Sequence, residues 1–166
     1  KENRPIISVG VGNMSAKYID QSLPKMVDAV KSILSEHSAD KGIIHAKTYK
    51  IAKYLKENIK DKRLLIHTPE NRDEILEKHK RSKNATVLLS PSMTEGVDLK
   101  DDLSRFQIIM KVPYPYLGDK LIKKKMNKYN WYYGYATAKT VVQSVGRSIR
   151  NEKDVAVTYI LDSGFN

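Results

Sequence analysis

No cysteine occurs among the 166 residues, so the chain can build neither a disulfide nor a thiolate metal site. Only four histidines are present. They are scattered, with no H-x-x-x-H pair to bring two imidazoles onto one helical face, and so give no metal signature. No stretch approaches the roughly 18 apolar residues of a membrane span, and no signal peptide is visible; a cytoplasmic chain without membrane contact is expected. Internal repeats, linkers and low-complexity segments are also missing, and the length suits one domain over residues 1–166. Acid is the scarcer charge: 19 Asp and Glu stand against 30 Lys and Arg, a net charge of +11. Such an excess suits a polyanion, nucleic acid above all. The dominance of lysine over arginine, with many Tyr, Ile and Asn, points to an AT-rich bacterial or phage genome.

What is present alternates in period. Strands are expected at Ile6–Val11, Gly42–Ala46, Leu64–His67, Ala85–Ser90, Gln107–Val112 and Val155–Leu161. Between them run helical patterns: Ser22–Ser35, with Leu23, Val27, Val30 and Leu34 on one face; Tyr49–Asn58, with Ile51, Leu55 and Ile59 aligned; and Asn71–His79. Strands alternating with helices predict an α/β fold around a mainly parallel sheet of about six strands, wound on both sides.

Two segments carry chemistry. Ala85–Ser90, a short apolar run, leads into Ser92-Met-Thr-Glu-Gly-Val-Asp-Leu99, where small polar residues, a glycine and two carboxylates follow a strand end. In an open parallel sheet, ligands sit outside the carboxyl ends of the strands. Some 45 residues later comes Gln143-Ser-Val-Gly-Arg-Ser-Ile-Arg150. At about 100° per residue, Gln143, Arg147 and Arg150 share one helical face, and Val141, Val142, Val145 and Ile149 the opposite, buried one. Guanidinium forks suit phosphate oxygens. A solvated polar face on an ordinary amphipathic helix is the plain alternative.

Together these segments resemble the superfamily-2 DNA helicases of the XPD and DinG type, in their second RecA-like motor domain. Ser92–Leu99 looks like motif V of that family, Gln143–Arg150 like motif VI, and Lys41-Gly-Ile-Ile-His-Ala-Lys-Thr-Tyr49 like motif IV. The strand Gln107–Val112 breaking at Pro113 and Pro115, the terminal strand ending at Asp162, and the opening from Ile6 to Ser15 agree as well, so the likeness covers nearly the whole chain. The family often closes on an Asp-x-Arg-Phe turn; here Asp162-Ser-Gly-Phe165 lacks the arginine.

The resemblance implies a RecA-like three-layer α/β/α sandwich and a set of roles. Arg147 and Arg150 would be arginine fingers on a transferring phosphoryl group, and Gln143 would sense the terminal phosphate or orient the attacking water. Gly96 and Asp98 would lie at the nucleotide edge, Asp98 toward ribose, with Glu95 linking motif V to motif VI. Lys47, Thr48 and Tyr49 end a strand at an expected helix N-terminus, a natural phosphate site; Thr68 and Thr94 hold analogous positions, and all five are candidate nucleic-acid contacts.

One feature of a complete motor is missing. None of the eight glycines is followed by lysine, so there is no G-x-x-x-x-G-K-[ST] loop to cradle phosphates, and no Asp-Glu pair ends a strand to hold magnesium. The chain also opens at Lys1. Half of a two-domain motor is expected: ATP with Mg2+ held mainly by the absent first RecA-like domain, single-stranded DNA as partner, and a monomeric fragment inactive alone. A non-catalytic nucleic-acid-binding module on the same fold is the second reading, and an ATPase that remodels protein–DNA complexes the third.

Two basic regions complete the picture. Lys41–Arg63 holds eight basic residues, expected largely along one helix. Lys120–Lys128 holds five lysines and no acid, followed by Tyr129, Trp131, Tyr132, Tyr133 and Tyr135. Charges on phosphates and rings under bases would track a single strand, but helical spacing favours packing of several rings against the sheet.

Overall fold

The computed structural model describes residues 4–91, 99, 101–145 and 155–164. Its elements run β1 (Ile6–Gly12), α1 (Ile19–Glu36), β2 (Gly42–His45), α2 (Tyr49–Asn58), β3 (Leu64–Ile66), α3 (Arg72–Arg81), β4 (Val87–Ser90), β5 (Phe106–Ile109), α4 (Lys120–Lys128), α5 (Tyr132–Val145) and β6 (Val157–Asp162). Six strands form one sheet in the order β1-β6-β5-β2-β4-β3, and every pairing is parallel. The expected α/β sheet is therefore realised, with strand limits shifted by one to three residues. Among the described residues no helix is long and apolar enough to cross a membrane.

Parallel strands are covered on both faces and read as unbroken apolar runs; here β2, β4 and β5 are buried end to end. Because neighbouring side chains point to opposite faces, each strand feeds two cores. Ile44, Val87, Leu89, Phe106, Ile108 and Tyr159 meet the apolar stripes of α1 and α2, including Leu23, Val27, Val30, Leu34, Ile51, Leu55 and Ile59. Ile43 and Leu88 turn the other way, toward Ile75 and Leu76 of α3, and Ile109 and Ile160 toward Val141 of α5. In the first core Phe106 lies over Gly42, where a Cβ would come within 2.5 Å of its ring, so glycine is required at the start of β2.

Two cations secure the end of the sheet where the strands begin. Helix C-termini leave carbonyls unpaired and carry partial negative charge. The Arg63 guanidinium donates to the carbonyl oxygens of Leu34 (2.9 Å), His37 (2.7 Å), Asp40 (2.7 Å) and Ala85 (2.7 Å). Lys41 Nζ does the same for His79 (2.6 Å) and Ser82 (2.7 Å), at the end of α3. The basic stretch Lys41–Arg63 is thus not one helical face. Only Lys50, Lys53 and Lys56 lie on α2, with Lys50 and Lys53 in exposed ion pairs to Asp20 and Glu57, while the two terminal members hold backbone.

Candidate functional site

The opposite end, where the parallel strands finish, gathers Lys47, Thr48, Tyr49 and Thr68. After β2 the chain turns through Lys47, a non-glycine residue at φ 73°. Such a left-handed position is uncommon for a side-chain-bearing residue. It lets the chain enter α2 with Thr48 as N-cap, its Oγ1 accepting from the Ile51 N–H at 3.3 Å. Tyr49 is the first helical residue, its ring 52% exposed. Burial, and then the neighbouring charge of Lys111 beyond β5, lower the Lys47 pKa; two ammonium groups facing the same edge leave it electropositive.

Thr68 follows β3 and stands three residues ahead of α3. Its N–H and hydroxyl both donate to Asn71 Oδ1, at 2.7 and 3.2 Å. Between these turns lies a cavity of about 490 Å3, with Tyr49, His67, Thr68, Glu70, Arg72 and Pro91 in its wall. Lys47, Thr48, Tyr49 and Thr68 are thereby brought to one edge of the sheet.

Motifs V and VI are described only in part. Gln143 stands near the end of α5 with its side chain exposed; Arg147, Arg150, Thr94, Glu95, Gly96 and Asp98 lie outside the described residues. The apolar side of this helix is narrower than its periodicity suggests. Val141 is 2% exposed against Ile109 and Ile160, but Val142 is 62% exposed. A helix touching the sheet along one line buries one residue per turn there, and Val142, 100° round from Val141, falls outside that line.

The aromatic run after α4 also departs from expectation. Tyr132 and Tyr133 are half-buried, with Tyr133 stacked on Tyr114 at 5.7 Å. Tyr129, Trp131 and Tyr135, in contrast, remain exposed and touch each other. Lys125 and Lys128 hold their ammonium groups over Tyr132 and Tyr129 at 5.2 and 5.3 Å, and α4 buries no residue. The reason is local: an N-cap, with Asp119 accepting from Leu121 and Ile122 N–H groups, forms a helix that stands off the sheet.

Beneath this edge runs a feature that periodicity did not single out. On the face covered by α3 and α5, β2, β4, β5, β6 and the end of β3 each place one polar residue among apolar neighbours: His67, Ser90, His45, Gln107 and Thr158. His67 Nε2 meets Ser90 Oγ at 3.3 Å, His45 pairs in register with Ser90, and His45 Nε2 meets Gln107 Oε1 at 3.0 Å. Gln107 pairs in turn with Thr158. Among the described residues Thr158 Oγ1 and His67 Nδ1 have no hydrogen-bond partner. Burial holds the His67 pKa below its ordinary value, so the imidazole is neutral. Buried polar groups in a sheet are costly unless bonded; one in each of five otherwise apolar strand segments was the signal available in the sequence. At the same edge the buried Asp162 carboxylate accepts from the N–H groups of Val112 (3.0 Å), Met14 (3.4 Å) and Gly164 (3.0 Å), tying the ends of β5 and β6 to the loop after β1.

Known proteins share this fold. The family model of the helicase C-terminal domain matches residues 34–166. The ATP-dependent DNA helicase CHL1 of Candida albicans is 28% identical over 123 residues, covering 59% of this chain and 15% of that protein. The protein of the same name from Meyerozyma guilliermondii is 35% identical over 92 residues, covering 45% and 11%. The chain thus spans a small part of the curated relatives it matches. These two relatives are fungal, and they lend no support to a bacterial or phage source. Among solved structures, an apo XPD aligns at TM-score 0.74 and 20% identity over 98% of this chain and 36% of that one. Xpd4 of S. tokodaii aligns at TM-score 0.70 and 17% identity, covering 98% and 35%. The parallel sheet, the order of its segments and the family match agree: this chain belongs to the helicase C-terminal domain family and has a RecA-like α/β fold like that of the XPD structures.

Proposed function

We propose that the chain serves as the second motor half of an ATP-dependent DNA helicase, completing a nucleotide site from across an interdomain cleft and gripping one DNA strand. The observation that carries this reading is the match to the helicase C-terminal domain over residues 34–166, a span that includes both the T-E-G-V-D-L and the Q-x-x-G-R-x-x-R segments. The chain has no phosphate-cradling loop of its own, so ATP with Mg2+ would be held mainly by the first RecA-like domain. When bound, the nucleotide supplies the phosphoryl group whose transfer drives the motor.

The residues here act on charge. Arg147 and Arg150 stabilise the negative charge that grows on that group, an effect worth about 10³ to 10⁵ in rate in related NTPases. Gln143 positions water or senses the terminal phosphate. Glu95, Gly96 and Asp98 line the nucleotide edge. Lys47, Thr48, Tyr49, Thr68 and Thr94 hold the strand at the electropositive edge, where backbone N–H groups at the start of α2 suit phosphate oxygens. The exposed rings of Tyr129, Trp131 and Tyr135, with lysines beside them, support a second contact with single-stranded DNA.

In the full-length protein, Arg147→Ala and Arg150→Ala are expected to lower kcat by about 10³-fold or more while KM for ATP and DNA affinity change little, because the lost interaction belongs to the transition state. Arg→Lys should restore little, since an ammonium cannot reproduce the fork. Near-normal kcat in both alanine variants would favour the non-catalytic binding module.

A further inference from the structure

The cavity between α2 and α3 combines an aromatic face and apolar walls with one acid and one base, Glu70 and Arg72. Its volume, about 490 Å3, lies within the range of small-molecule pockets, about 300–1,000 Å3. The Tyr49 ring forms one wall, and Pro69 and Pro91 contribute rigid apolar surface. Glu70 stands at the rim; the Thr68 hydroxyl, shared with Asn71 Oδ1, and its own backbone N–H hold its carboxyl below the usual carboxylate range. Its carboxylate accepts N–H donors, while Arg72 in the same wall offers donors to ring nitrogens and carbonyl oxygens. The buried wall carries His67, 6% exposed, whose Nδ1 has no hydrogen-bond partner among the described residues. An aromatic face, apolar walls and a few polar groups placed edge-on are what a planar heterocycle with hydrogen-bonding edges requires.

We propose that this cavity receives one unstacked nucleobase of the bound strand, stacked on Tyr49 with its polar edge toward Glu70 and His67, and that it prefers bases bearing an amino group to thymine. The assignment rests on the reading that the chain grips single-stranded DNA and adds to it a place where base identity is felt. The preference follows from donor and acceptor patterns. A carboxylate accepts from the amino group of cytosine, whereas thymine flanks its one ring N–H with two carbonyl oxygens that repel Glu70. The phosphates on either side would rest on the Lys47 and Lys111 edge, outside the rim.

Three fluorescently labelled strands of equal length test this with the 166-residue chain: oligo-dC, oligo-dT and an abasic strand that keeps the sugar–phosphate backbone. One stacked base is worth about 10-fold in affinity, so oligo-dC should bind about 10-fold tighter than the abasic strand, with oligo-dT between them. Tyr49→Ala should erase the difference between oligo-dC and the abasic strand. Glu70→Gln should erase the difference between oligo-dC and oligo-dT, because an amide donates as well as accepts. Both side chains are exposed, and unchanged circular dichroism would confirm that the variants fold. Equal affinity for oligo-dC and the abasic strand would overturn the base pocket while leaving the phosphate grip intact. Equal loss of all three strands in Tyr49→Ala would also overturn it, since the ring would then serve the backbone contact alone. Failure of every strand to bind at the lowest salt would remove the strand-gripping reading and the pocket with it.

Discussion

The two faces of the sheet are built differently. Among the described residues, one continuous apolar cluster of twenty-two buried residues lies against α1 and α2. Against α3 and α5 the buried apolar contacts fall into two small groups, one around Ile43, Leu88 and Leu99 and one around Ile109 and Val141. Between them runs the polar row from His67 to Thr158. The first face is held by area removed from water, the second largely by hydrogen bonds of fixed direction. Burial is nondirectional and tolerant of small shifts, whereas buried polar contacts fail abruptly when misaligned.

The largest break in this comparison should come from Phe106→Ala. Phe106 is fully buried in the thick core and stacked on His37 at 4.6 Å. Its removal should cost about 3–5 kcal/mol, read as a lowered urea midpoint with unchanged slope. A loss below about 1 kcal/mol would mean that the thick face is not the stabilising one.

Acid should attack the thin face. His79 on α3 is fully buried; its Nε2 donates to the Leu103 carbonyl at 2.7 Å, and its Nδ1 accepts from the Thr86 hydroxyl at 2.8 Å. Both contacts fit only the neutral ring, and burial is the main reason its pKa falls to about 4. The unfolded chain, at about 6.5, then binds the proton that the folded chain refuses. This contribution is complete above pH 6.5 and disappears as pH falls toward 4, about 3 kcal/mol in all. Denaturation midpoints across that range measure it, and His79→Gln should flatten the slope. An unchanged slope in that variant would place the acid sensitivity elsewhere.

A smaller effect is expected within the row itself. Gln107→Leu deprives His45 Nε2 of its acceptor and should cost about 1–3 kcal/mol. Adding His45→Phe should return part of that loss, because two matched apolar groups no longer leave a polar atom stranded. Additive losses in the double-mutant cycle would show that the pair is not coupled. Last, Val142→Thr should stay within about 0.5 kcal/mol, as exposed substitutions do; a larger cost would restore Val142 to the buried face that its spacing suggested.

The strands and the two long amphipathic helices were legible in the sequence because their signal is periodic: Leu23, Val27, Val30 and Leu34 could share a face only on a helix, and all four are buried. Tyr49–Asn58 was legible to the residue, since Thr48 supplies a cap just before the apolar stripe begins. The exposed positions of Val142 and Tyr135 were not, because periodicity gives the angle between side chains and not the width of the surface that meets them. Nor was the polar row, whose members are 17 to 113 residues apart along the chain and meet only through strand order. At the candidate site, Thr48, Tyr49 and Thr68 were found from turn chemistry next to strand ends. His67, Glu70 and Lys111 were missed because their meaning comes from what stands opposite them.

Arg63 gives the domain a mechanical character. One planar side chain grips carbonyls at the end of α1, in the following loop and just before β4, and Lys41 fastens the end of α3 beside it. A load applied to the loops above the strand ends therefore meets a base whose helices are clamped together through their backbones, which a slipping side chain cannot release. Such a body tilts before it shears, and displacement at one rim arrives at the other nearly undiminished.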